Sequence, residues 1–273
     1  MNQFFKPVNR IVLLGASNLT MSLRLIIQLL QRHCGSPSEV LVAAGHGRSY
    51  GQNSQVLVRE LPGIVRSGLW RQFYSEESQR LLQPNYAFLT DIGNDILYGF
   101  SSAQILHWVA WCIHRLHGRS ARIVMTNLPM ASIASLSERR FKLLRNLFYP
   151  SCRLSRNEVV DRAWAVHQGL NELTKRYPLT VHEPDPQWMS MDSIHVSFWK
   201  RYAYYEQLFT CFANTDSFSR NHVVPVSKDD DLKPLLLPWR RRPQFAVRKV
   251  LGKIKHVSQP SGYFDDQTSV SLY

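Results

Sequence analysis

At 273 residues, 44% of them hydrophobic, the chain can bury one good core and still carry an attached segment. Cys34, Cys112, Cys152 and Cys211 are scattered and form no Cys-x-x-Cys pair, which excludes a metal ribbon or redox motif and fits a reducing compartment. The formal net charge of +13 admits nucleic acid, anionic lipid or an anionic substrate, but Pro238 to Val257 alone holds seven Lys or Arg and no acid, so the charge describes the end of the chain more than a site. The first apolar run is too brief for a signal peptide or a membrane span, so a soluble cytoplasmic protein is expected, with nucleic acid an unlikely partner.

The first predicted strand is Ile11 to Leu14, four aliphatic residues ending on Gly15-Ala16-Ser17-Asn18. A helix follows from about Thr20, with Leu23, Leu25, Ile26, Leu29 and Leu30 on its apolar side. In open α/β sheets chemistry gathers at the carboxyl ends of such strands, which places Ser17 where a nucleophile would stand; a plain helix cap is the other reading. The second strand, Glu39 to Ala44, runs into Gly45-His46-Gly47-Arg48-Ser49-Tyr50-Gly51. Three glycines in seven residues mark a bend or a close approach of the backbone. The pattern is not Gly-x-Gly-x-x-Gly and no acid follows at ribose distance, so no dinucleotide cofactor is expected. Val56 to Phe73 then reads as helical, broken at Pro62 and Gly63.

Tyr86 to Thr90 forms the third strand and ends in Asp91-Ile92-Gly93-Asn94-Asp95. Ser101 to His117 is helical, and its His107, His114 and His117 lack a carboxylate or cysteine at ligand spacing, which favours exposed or packing histidines over a metal site. The fourth strand, Ala121 to Thr126, leads into a connection from Met130 to Arg156 with one amphipathic helix, read either as a lid or substrate wall or as an ordinary crossover. Asn157 to Tyr177 is a further helix and Leu179 to His182 a short fifth strand. Asp192-Ser193-Ile194-His195 and a closing helix from Phe198 to Phe212 complete the run. The predicted fold is a doubly wound, mostly parallel five-stranded α/β sheet with helices on both faces, filling residues 1–214.

Three of these strand ends combine into one chemistry. A serine hydroxyl becomes a nucleophile when a histidine takes its proton, and Asp192, three residues before His195, is spaced to orient the ring. Ser17, Asn94 and a glycine of the second loop would supply donors to an oxyanion. These residues resemble the SGNH (GDSL-like) hydrolase family. Gly15 to Thr20 looks like its first block, with Ala16 where aspartate is usual. Ile92-Gly93-Asn94-Asp95 looks like its Gly-x-Asn-Asp block, with Ile92 at the first glycine, and Asp192 to His195 matches its Asp-x-x-His block. The resemblance covers roughly residues 10–213. It implies a flavodoxin-like fold, Ser17 as nucleophile, His195 as base and Asp192 as its orienter. The oxyanion hole would come from Ser17, Asn94 and Gly47, with Gly45 as the alternative to Gly47.

The expected activity is hydrolysis of a small acyl or acetyl ester through an acyl-serine, without metal or other cofactor. An acyltransferase using the same triad, or a non-catalytic binding protein of the same fold, are the alternatives, and the oligomeric state is left open. Residues 215–273 read as a basic tail. Val247, Val250, Leu251 and Ile254 line one face of a short helix there, fit to dock an anionic membrane surface or a protein partner; a flexible solvated end is the other reading.

Overall fold

The computed structural model describes residues 6–56, 59–75, 83–212 and 236–273. The first four strands are β1 (Asn9–Leu14), β2 (Ser38–Ala43), β3 (Ser54–Val56) and β4 (Arg59–Leu61). They are followed by β5 (Asn85–Leu89), β6 (Arg122–Thr126) and β7 (Leu179–His182), and by β8 (Trp239–Arg241), β9 (Val247–Val250), β10 (Lys253–His256), β11 (Gly262–Phe264) and β12 (Ser269–Leu272). The helices are α1 (Ser17–Cys34), α2 (Leu69–Phe73), α3 (Asn94–Leu97), α4 (Ser102–His117), α5 (Met130–Ser135), α6 (Glu138–Phe148), α7 (Arg156–Leu173) and α8 (Arg201–Phe209).

Every residue of β1 is buried, including Asn9 and Arg10. The Arg10 guanidinium is matched by Glu39 on β2 at 2.5 Å, which makes its burial tolerable. Because strand side chains alternate, Val12 and Leu14 join the core under α4 and α7, while Ile11 and Leu13 join the core under α1 and α8. Two filled faces on one strand require covering helices on both sides, as the unbroken aliphatic run predicts.

The main sheet has the order β7-β6-β5-β1-β2-β12-β11-β8. Its parallel part, β7 through β2, has the flavodoxin-like order, with the direction of winding reversing between β1 and β5. Loops leaving the carboxyl ends of β1 and β5 therefore diverge there and open a crevice. Both Ser17 and the 91–95 segment lie just beyond those two strand ends.

The structure corrects the expected strand count and the expected tail. The sheet has eight strands rather than five. The additional three come from residues assigned to a tail: β12 lies parallel to β2, with Val270 fully buried, and β11 and β8 continue the sheet antiparallel. The amphipathic helix is absent from its expected place. Val247–Val250 and Lys253–His256 form a β-hairpin turning at Leu251 and Gly252, both with positive φ, a two-residue loop suited to strand twist. Its strand β9 pairs with β4, and Lys249 meets Glu60 at 3.0 Å. The helical reading of 56–73 gives way to β4, a 3₁₀ turn at Ile64–Arg66 and the short α2. The stretch 130–156 holds two helices, α5 and α6, rather than one. His114 and His117 pack their rings on Tyr177. Among the described residues no helix is long and apolar enough to cross a membrane.

Candidate active site

The turn after β1 is tight: a Cβ at Gly15 would come within 2.7 Å of the Thr90 methyl. Ala16 then occupies the N-cap of α1 and provides no side-chain cap, so Ser17 is the first helical residue. Its hydroxyl does not cap the helix. Ser17 Oγ lies 2.7 Å from His195 Nε2.

Capping falls to a residue that sequence reasoning missed. Asp91 Oδ2 accepts from the amides of Ala16 at 2.8 Å and Leu19 at 3.3 Å, and Oδ1 accepts from Asn18 Nδ2 at 2.7 Å. A carboxylate is favourable at a helix N-terminus, where backbone N–H groups lack intrahelical acceptors. Ala16 carries no carboxylate, and Asp91 brings one to the same turn from the end of the neighbouring strand. Asp91 has φ +62°, a left-handed conformation that aspartate tolerates better than most residues. Asn18 was missed as well. It donates to Ile194 O at 3.1 Å and accepts from Val196 N at 2.9 Å, bolting the histidine loop to the turn that carries Ser17. The available signal was position, an Asp at the end of the strand beside β1 and an Asn adjoining the serine.

The histidine loop is built around Asp192. One carboxylate oxygen accepts from Ser190 Oγ at 2.6 Å, His195 N at 2.9 Å and Ile194 N at 3.1 Å; the other lies 2.7 Å from His195 Nδ1. Ser190 N donates to His195 O at 2.7 Å and closes the loop. Burial disfavours charge on Asp192, but the bonds from His195 and Ser190 outweigh it and hold the carboxyl well below the ordinary range. Burial likewise disfavours the His195 imidazolium, and the Asp192 carboxylate outweighs it, so the pKa of His195 is raised.

Asn94 begins α3 and faces the same cavity as Ser17 and His195. Its Oδ1 accepts from the Tyr149 hydroxyl at 2.9 Å, while its Nδ2 is buried with no partner. A buried amide donor without an acceptor is costly and calls for an explanation. Its neighbour Asp95 turns the other way. Asp95 accepts from Ser49 Oγ and from Tyr50 N at 2.8 Å, pinning the second loop, and burial raises its pKa to about 6.

Gly47 stands apart from this group. It has φ +60°, its carbonyl accepts from the Tyr98 hydroxyl at 2.5 Å, and neither it nor Gly45 lines the cavity that Ser17, Asn94 and His195 share. The second loop, expected to supply an oxyanion donor, supports Tyr98 through the Gly47 carbonyl.

The cavity has a volume of about 140 Å³. It is lined by Ser17, Asn94, Asp192 and His195 together with the apolar side chains of Ile92, Leu128, Ile133, Leu136, Phe141, Leu144, Phe148 and Val159. Much of that wall comes from the 130–156 connection. Fold and side chains together define a doubly wound α/β protein in which an aspartate, a histidine and a serine form one hydrogen-bonded line at the switch point of the sheet.

No protein-family model matches the sequence, and no curated protein matches it. Solved structures with a similar fold include a GDSL-like lipase from Bacteroides thetaiotaomicron, at 10% identity and TM-score 0.46 over 74% of this chain and 86% of that one. A lipase/acylhydrolase from Enterococcus faecalis has 12% identity and TM-score 0.44 over 75% and 95%. A psychrotrophic esterase from Pseudoalteromonas sp. has 12% identity and TM-score 0.42 over 74% and 95%. Likenesses this distant assign no activity to the chain, and its chemistry has to be read from its own side chains.

Proposed function

We propose that the protein is a serine hydrolase of the SGNH type that cleaves carboxylic esters through an acyl-Ser17 intermediate. The observation that supports this best is the unbroken line from Asp192 through both nitrogens of His195 to Ser17 Oγ, each step 2.7 Å, opening on an apolar cavity. The Asp192 carboxylate accepts a hydrogen bond from Nδ1–H, which leaves Nε2 unprotonated and able to accept from Ser17. As Oγ attacks the ester carbonyl, Nε2 takes its proton, and the resulting imidazolium is stabilised by Asp192. The carbonyl oxygen becomes an oxyanion, received by the unpartnered Asn94 Nδ2 and by the Ser17 amide in the first turn of α1. Collapse expels the alcohol, which leaves with the proton from Nε2. Water then gives a proton to Nε2 and its oxygen to the acyl carbon; Ser17 regains its proton and the carboxylic acid departs.

The walls favour an acyl group longer than acetyl. An apolar cavity of roughly 150 Å³ takes a molecule the size of benzene, so this one suits an acyl chain of about six carbons. Each methylene buried is worth about 0.8 kcal/mol, roughly fourfold in kcat/KM until the cavity is full. Fluorophosphonate labelling with mass-spectrometric mapping tests the chemistry: the adduct should sit on Ser17, and Ser17→Ala should lower kcat by about 10⁶. An adduct on another serine, or an unlabelled protein, would remove the proposal. A series of p-nitrophenyl esters tests the substrate, with kcat/KM expected to peak well beyond acetate.

A further inference from the structure

The buried donor of Asn94 is useful to an oxyanion only if the carboxamide points its nitrogen, and not its oxygen, toward the reacting carbonyl. A rotation of the amide by half a turn exchanges the two at almost no change in shape. Something has to fix the choice. The structure assigns that task to Tyr149, a residue of the 130–156 connection, which acts on the hydrolysis proposed above as a positioning residue.

The Tyr149 hydroxyl donates to Asn94 Oδ1 at 2.9 Å. With that bond made, Oδ1 is satisfied and Nδ2 is left as the buried unpartnered atom. In the flipped orientation a carbonyl oxygen would be buried without a donor and would face the developing negative charge. Tyr149 is itself held on two sides. Its backbone N donates to Arg145 O at 2.7 Å, closing α6, and its ring meets Tyr98 edge-on at 5.3 Å. Tyr98 in turn rests on Gly47 through its hydroxyl. Burial and the nearby Tyr98, Asp91 and Asp95 push the Tyr149 phenol well above its ordinary range, so it stays protonated and able to donate. The segment that walls the acyl cavity thus also sets the orientation of the oxyanion donor. Wall and oxyanion donor are joined at one hydroxyl.

Tyr149→Phe keeps the ring and its contact with Tyr98 and removes only the donor. We expect kcat to fall about tenfold with KM unchanged, and the rate of phosphonate labelling at Ser17 to fall by the same factor, the size expected for one neutral hydrogen bond. In an Asn94→Ala background the same change should cost less than twofold, because there is no amide left to orient. Equal losses in both backgrounds, or unchanged kcat in Tyr149→Phe, would overturn the assignment. A second measurement does not depend on turnover. The side-chain ¹H–¹⁵N signals of Asn94, identified by their loss in Asn94→Ala, should be sharp and distinct in the unmodified protein and should shift or broaden in Tyr149→Phe. Unaltered signals would refute the positioning role whether or not the protein proves to be a hydrolase. Absence of labelling in the unmodified protein would count against the hydrolase reading alone.

Discussion

The turn after β1 and the connection 130–156 line one cavity, yet they are held in different settings. The turn is fixed by polar contacts within a buried setting: Asp91 receives two backbone amides and the Asn18 side chain, and Asn18 grips the histidine loop on both sides of His195. The connection lies at the surface, held by Arg140, Arg145 and Arg156, which donate to the backbone carbonyls of Met191, Leu154, Leu136 and Ala134. In α6 only Phe141 is buried, while Leu143 and Leu147 are 68% and 67% exposed. Proton transfer and oxyanion binding require atoms placed within a few tenths of an ångström, and directional bonds supply that. Holding an acyl chain requires only apolar area of about the right shape, which a loosely attached helix can supply. Tyr149, through Asn94, and Arg140, through the Met191 carbonyl, link the two regimes.

The largest expected effect comes from breaking the turn. Asp91→Ala leaves the amides of Ala16 and Leu19 without their side-chain acceptor and removes one of the two acceptors of the Asn18 amide. At about 1–3 kcal/mol for each buried donor left unpaired, the loss should reach several kcal/mol. For a domain of this size that lowers Tm by roughly 10 °C. Calorimetry or denaturant melts check it. A Tm within about 2 °C of the parent would mean that the turn is held by something other than this carboxylate.

An intermediate effect comes from protonating the base. The raised pKa of His195 makes the ring charged, and unable to accept from Ser17, up to a pH above its ordinary 6.5. Ester hydrolysis should therefore rise with pH through an acid limb above 6.5. Stability should move the other way. The imidazolium–Asp192 pair contributes below pH 6.5, and that contribution is lost as pH rises through the higher folded-state pKa. Measured together, kcat/KM and Tm should trade against each other across that window in the parent protein. Asp192→Asn removes the charge that raises His195, so the acid limb should shift to lower pH. An acid limb that stays in place in Asp192→Asn would break the pairing.

The smallest structural effect, and the sharpest test of the contrast, lies in the wall. Phe148 lines the cavity while remaining 51% exposed. Phe148→Ala should cost under about 1 kcal/mol of stability, as partly exposed sites generally do. It should lower kcat/KM for a hexanoyl ester by up to about tenfold while leaving the acetyl ester nearly unchanged. Equal losses on both esters would place the wall within the chemistry rather than beside it.

The sequence by itself determined the doubly wound core and the three catalytic candidates. Ile11 to Leu14, Glu39 to Ala44, Tyr86 to Thr90 and Ala121 to Thr126 are largely apolar runs whose burial on two faces leaves little choice of partner. Ser17, Asp192 and His195 follow such strands or sit in a short Asp-x-x-His loop, so local spacing carried them. Asn94 came from the same logic, but the unpaired state of its nitrogen did not. Tertiary structure alone decided what depended on distant pairing. Ser269–Leu272 is a four-residue strand with two serines, too short and too polar to announce itself. Its place is set by the open edge of β2 and by Thr268, which accepts from Ser38 N at 3.0 Å. Val247 to Ile254 has helical spacing, yet β9 finds β4 across about 190 residues of chain, and cross-strand pairing overrides a weak helical pattern. Asp91 and Asn18 are polar residues in loops, where sequence pattern is silent about partners. Only the meeting of β1 with β5 put a carboxylate at the turn that Ala16 had left without one.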